Sequence, residues 1–86
     1  MTQPKDYTFL ENIILTIVAH PEAVHITRTV DEMGVLLTLE VHPEDMPYVI
    51  GKQGSTATAI RNLLRIVGMK TGARVNLKIN EPMRDA

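Results

Sequence analysis

Apolar residues recur at helical spacing in two stretches of this 86-residue chain and alternate with polar ones in three. Leu10, Ile13, Ile14, Ile17 and Val18 return every three or four positions, as one face of a helix requires. Thr8-Phe9-Leu10-Glu11 fits a capping box, with Asp6 as a competing cap, and Pro21 cannot continue a helix, so a first helix is predicted over 7–20. Val24, Ile26 and Val30 alternate with His25, Thr27, Thr29 and Asp31 as in a half-buried strand, Arg28 being the one break in its apolar face. Asp31-Glu32-Met33-Gly34 reads as a turn, and Val35, Leu37, Leu39 and Val41 form the apolar side of a second strand, so the two strands make an antiparallel hairpin. The acidic, proline-bearing Pro43-Glu44-Asp45-Met46-Pro47 opens a short helix over 44–50. Ala57, Ile60, Leu63, Leu64 and Val67 form the stripe of a longer helix over 55–70, which ends near Gly72. Val75, Leu77 and Ile79 alternate with Asn76, Lys78 and Asn80 in a third strand, between a loose start at 1–5 and a tail at 81–86.

The resulting order is α-β-β-α-α-β. Three one-sided strands need one cover layer, and three helices supply it. The prediction is therefore a single α+β domain over 1–86, with a core at 7–80 and a three-stranded mixed sheet covered on one face by helices. The second and third strands are joined through a helix pair, which allows them to lie parallel. Leu36, Ile66 and Met69 stand off the main stripes. They fit edge positions of the core or an apolar patch that a second chain covers.

Composition narrows the class. An apolar share of 44% argues against disorder along the chain. Tyr7, Phe9 and Tyr48 are the only aromatics, too few for rows of base-stacking rings. The absence of cysteine excludes disulfides and thiolate metal sites. The polar start does not read as a secretory signal, and no apolar run is long enough to span a membrane, so a cytoplasmic protein is expected. The net charge of −1 hides a division: residues 1–50 hold two basic and eight acidic side chains, residues 51–86 seven basic and two acidic. The change falls at Gly51, and local potential governs polyanion binding more than net charge does.

That boundary carries the candidate chemistry. Gly51-Lys52-Gln53-Gly54 sets two long polar donors between glycines and feeds a helix N-terminus, whose free N–H groups attract anions. Glycine admits close approach of a ligand to the backbone, and Ser55 or Thr56 adds a hydroxyl. The order of residues is not that of a nucleotide P-loop, and no strand precedes it as in a dinucleotide fold. A tight corner between helices is the plainer reading. Arg61 and Arg65, four apart, either flank a phosphate path or belong to a solvated face. His20, His25 and His42 have no metal-ligand spacing and read as ordinary surface or strand-end histidines; Glu44 and Asp45 read as a charged helix start, and Ser55 has no evident base. No cofactor, metal or catalysis is expected.

Val49-Ile50-Gly51-Lys52-Gln53-Gly54, in this element order, resembles the I-G-x-x-G signature of KH domains of the prokaryotic, type II arrangement, over residues 7–80. The resemblance implies that Gly51, Lys52, Gln53 and Gly54 clamp the backbone of single-stranded RNA. It further implies that Val49 and Ile50 flank a groove for about four bases, which Ala57, Ile60 and the strand at 75–80 complete. It implies an RNA chaperone or post-transcriptional regulator, with a homodimer or a second KH-containing protein as partner. The rival readings are a protein-interaction module of the same fold with little direct RNA binding, and DNA binding through a helix-turn-helix. The G-x-x-G turn and the flanking strands do not suit the latter.

Overall fold

The computed structural model describes residues 4–80. Helix α1 spans Lys5–Ile17, strand β1 His25–Asp31, strand β2 Gly34–Glu40, helix α2 Met46–Ile50, helix α3 Ser55–Thr71 and strand β3 Val75–Ile79. Short 3-10 turns at Pro21–Ala23 and Pro43–Asp45 precede β1 and α2. The expected α+β order and mixed sheet are present. The tail predicted at 81–86 lies outside the described residues, as do positions 1–3.

β2 is the central strand. It pairs antiparallel with β1, Ile26 opposite Leu39 and Val30 opposite Val35, and parallel with β3, Val35 opposite Val75 and Leu37 opposite Leu77. The alternation of β2 therefore aims Val35, Leu37 and Leu39 at one face, and all three are buried. Leu10 and Ile14 of α1, Val49 of α2, and Ile60 and Leu64 of α3 close over them. Each fully buried aliphatic side chain in this layer contributes about 1.5–3 kcal/mol of transfer free energy.

α1 departs from its predicted bounds at both ends. It begins at Lys5 behind Pro4, with no side chain capping it, so the Thr8–Glu11 capping box does not form. Asp6 instead lies buried in the first turn and takes Arg28 side-on, Nε at 2.9 Å and Nη2 at 3.3 Å. The break in the apolar face of β1 is thus half of an ion pair between α1 and β1. The helix stops at Ile17 rather than at Pro21 because the next free N–H groups have another acceptor. Ala19 and His20 donate to Oδ1 and Oδ2 of Asp45, each at 2.9 Å. Asp45 is almost wholly buried. Burial raises its pKa, but the N–H groups of Ala19 and His20 and the His20 ring lower it more, leaving it below the ordinary aspartate value.

Other apolar assignments also change. Val30 is 61% exposed, because β1 is the edge strand and the hairpin end runs past the helices. Leu63 is 43% exposed on the flank of α3, where Gly68 takes the buried position in the next turn. A Cβ at Gly68 would stand 2.5 Å from the Ala73 carbonyl oxygen and 2.9 Å from Val75 Cγ2, so glycine lets α3 lie close on β3. Ile66 and Met69, at 60% and 75% exposure, are not edge core residues, and Leu36 lies on the uncovered face of the sheet. No helix among the described residues is long and apolar enough to cross a membrane.

Candidate nucleic-acid interface

α2 is only five residues long because Pro47 must sit in its first turn and Gly51 ends it. Gly51 closes the helix with its N–H on the Pro47 carbonyl at 2.8 Å, then departs at φ 76°, ψ 175°. Gln53 follows at φ 56°, ψ 29° and Gly54 at φ 76°, ψ 12°. Gln53 is the one non-glycine residue with positive φ among the described residues. Such backbone is costly for a residue with a side chain, and strain of this kind collects at functional sites.

The two glycines have different surroundings. A Cβ at Gly51 would collide with Thr56, reaching its Oγ1 and standing 2.6 Å from its backbone nitrogen. Gly51 is thus packed against the start of α3. A Cβ at Gly54 would meet nothing within 4 Å. The outer glycine leaves its backbone open to whatever approaches, while Lys52 and Gln53 stand exposed beside it.

α3 begins on Gly54 with no side chain bonded to its first N–H groups. A helix end uncapped in this way presents donors and the positive end of the helix dipole. Ser55 is exposed and Thr56 half-buried. Arg61 and Arg65 lie on the exposed side of the same helix, about 9 Å and 15 Å along the axis from Ser55. Arg61 is steadied by Nε donating to the Leu77 carbonyl of β3 at 3.4 Å. Both arginines line a groove of about 720 Å³ between α3 and β3, together with Met69, Arg74 and Asn76.

The fold thus brings Gly51, Lys52, Gln53, Gly54, Ser55, Arg61 and Arg65 to one helix start and its exposed flank. It sets the predicted apolar bed differently. Val49, Ala57 and Ile60 are at most 3% exposed and belong to the core, whereas Ile50 is half-buried. These three side chains pack in the core beneath α2 and α3. The pattern already hinted at this, since Ala57 and Ile60 share the core stripe of α3. Arg74, absent from the sequence-based set, lines the groove from the turn after α3, beside Asn76 of β3; the change to basic character after Gly51 is the signal that could have included it.

One further cluster escaped the sequence reading. His20 and His42 stack with ring centroids 4.0 Å apart, and Glu44 reaches both. Sequence spacing gives no sign of it, because the contact joins the link after α1 to the link after β2.

Residues 7–79 match the family model for the KH domain of KhpA and KhpB. An RNA-binding protein KhpA of Halalkalibacterium halodurans is 40% identical over 72 residues, covering 84% of this chain and 95% of that protein. The RNA-binding protein KhpA of Listeria monocytogenes is 43% identical over 76 residues, covering 84% of this chain and all of its own. That of Bacillus subtilis is 33% identical over 79 residues, or 92% of this chain and 98% of its own.

Proposed function

The chain belongs to the KhpA/KhpB family of KH domains, and on that premise we propose that it binds single-stranded RNA through the loop from Gly51 to Gly54. The observation that carries this reading is the open backbone at Gly54, at the uncapped start of a 17-residue helix. Phosphates are held by loop and helix N–H groups, with charge from Lys52, Arg61 and Arg65 and further donors in Gln53, Ser55 and Thr56. Ile50 offers apolar contact to a base, backed by the buried Val49, Ala57 and Ile60. Bases lie in the groove between α3 and β3, where single-stranded bases can be read by their edges. The role is that of a cytoplasmic RNA chaperone or regulator, without catalysis; the relatives are named for RNA binding and not as enzymes.

A partner is part of the same reading. The exposed Leu63, Ile66 and Met69 on α3 support self-association or docking of a KhpB-type protein.

The test replaces Lys52 and Gln53 by aspartate together. The expected result is loss of binding to a short single-stranded RNA in fluorescence polarisation, with circular dichroism unchanged. Two negative charges at a phosphate clamp repel the ligand, and both positions are exposed. Wild-type affinity in the double variant would remove the loop from the site.

A further inference from the structure

His20 follows α1 and His42 follows β2, and folding stacks their rings with planes 14° apart. Glu44 Oε1 stands 3.4 Å from His20 Nε2 and 3.8 Å from His42 Nδ1. The ligating atoms of these three side chains all lie within 4.8 Å of one another, the one such group among the described residues. A fourth residue orients them. Asp45, held by the N–H groups of Ala19 and His20, places Oδ2 3.3 Å from His20 Nδ1. That contact favours the proton on Nδ1 and leaves the lone pair on Nε2, on the side of Glu44. A histidine whose second nitrogen donates to a carboxylate is the usual outer support of a zinc ligand.

We propose that His20 Nε2, His42 Nδ1 and Glu44 Oε1 bind one divalent transition-metal ion of the zinc class, with water completing the tetrahedron. Two imidazoles and one carboxylate suit zinc; magnesium and calcium take sets of oxygen atoms. Donors on a tetrahedral zinc stand about 3.3 Å apart, given bonds of about 2.0–2.1 Å. The observed 3.4 and 3.8 Å ask little movement of the Glu44 carboxylate, whereas the two imidazoles, stacked nearly parallel, have to turn. His42 Nδ1 at present accepts the Glu44 backbone N–H at 3.0 Å. The ion takes that lone pair, the N–H turns to water, and the stacked rings splay so that their lone pairs converge. The partial exposure of both rings and the high exposure of Glu44 leave room for this. The ion staples the link between α1 and β1 to the turn that starts α2, the two segments Asp45 already joins. Its role is to hold structure, and it does not depend on the RNA reading.

The test uses the full untagged chain, titrated with zinc chloride in a calorimeter and followed by imidazole proton NMR. One zinc binds per chain, the His20 and His42 signals shift while that of His25 stays, and the melting midpoint rises until EDTA reverses it. His42→Asn keeps an acceptor for the Glu44 N–H while removing the imidazole. Glu44→Gln alters a side chain that is largely in solvent. Each variant, with an unchanged circular dichroism spectrum, weakens zinc binding by more than about tenfold, the order of loss that even outer partners of a ligand produce. His25→Asn leaves the affinity unchanged. Absence of saturable binding, equal binding by the His42 and Glu44 variants, or equal binding of magnesium overturns the site.

Discussion

At the scale of single residues, the two loop glycines carry separate tasks. Gly51 has a backbone conformation that only glycine adopts readily, and its missing Cβ is the space that Thr56 fills. Gly54 is left-handed too, but open on its side-chain face. Gly51→Ala is therefore expected to cost about 2–4 kcal/mol of stability, combining strain with collision. Gly54→Ala should cost about 1–2 kcal/mol, the left-handed penalty alone. RNA affinity of the folded fraction should fall more for the Gly54 variant, whose methyl group would stand on the open face of the proposed phosphate clamp. Urea denaturation and polarisation binding measure the two effects, and equal stability losses would contradict this division. The turn from Gly51 to Gly54 between two helices was legible in the sequence because the whole loop is local. Asp45 was not: its acceptor role depends on Ala19 and His20, which only the fold brings near.

At the scale of elements, two buried carboxylates join the apolar stripes in positioning the helices. Asp6 ties α1 to β1 through Arg28, and Asp45 ties the end of α1 to the start of α2. The stripes and alternations gave α1, α3 and all three strands, and the acidic, proline-bearing Pro43–Pro47 gave α2. They misplaced the C-terminal end of α1, because a tertiary acceptor took the donors that would have prolonged it. They also assigned Leu63 and Val30 to the core, because periodicity shows which face points inward but not how far the cover extends. Asp45 sets an acid limit on this arrangement. Its folded pKa is depressed, so its stabilisation is fully present above the unfolded value of about 3.9 and is lost as pH falls through the folded value. The melting midpoint should therefore drop steeply below about pH 4. Asp45→Asn should lower the midpoint at pH 7 by at least about 4 °C, the order expected from one lost charged hydrogen bond in so small a domain, and flatten the acid limb. An acid limb as steep in Asp45→Asn as in the wild type would show that another group sets it.

At the scale of the whole molecule, an acidic first half and a basic second half share one small body. The three phosphate contacts proposed for Lys52, Arg61 and Arg65 predict that the logarithm of RNA affinity falls with the logarithm of salt at a slope of about −2. A partner seated on Leu63, Ile66 and Met69 should respond little to salt, since apolar burial is not screened. Polarisation binding and light scattering across one salt series separate the two, and a flat RNA response would argue against a phosphate grip. The parallel pairing of β2 with β3 has a kinetic side. Val35 and Val75 become partners only after the chain between them, which contains α2, the loop and α3, has closed on itself. The β1–β2 hairpin closes over a four-residue turn, whereas this second pairing bears the entropy of a long closure. The loop therefore sits inside the late step of folding. Packing of α3 on β3, Gly68 against Val75 included, is therefore expected to govern how late the loop is fixed in place.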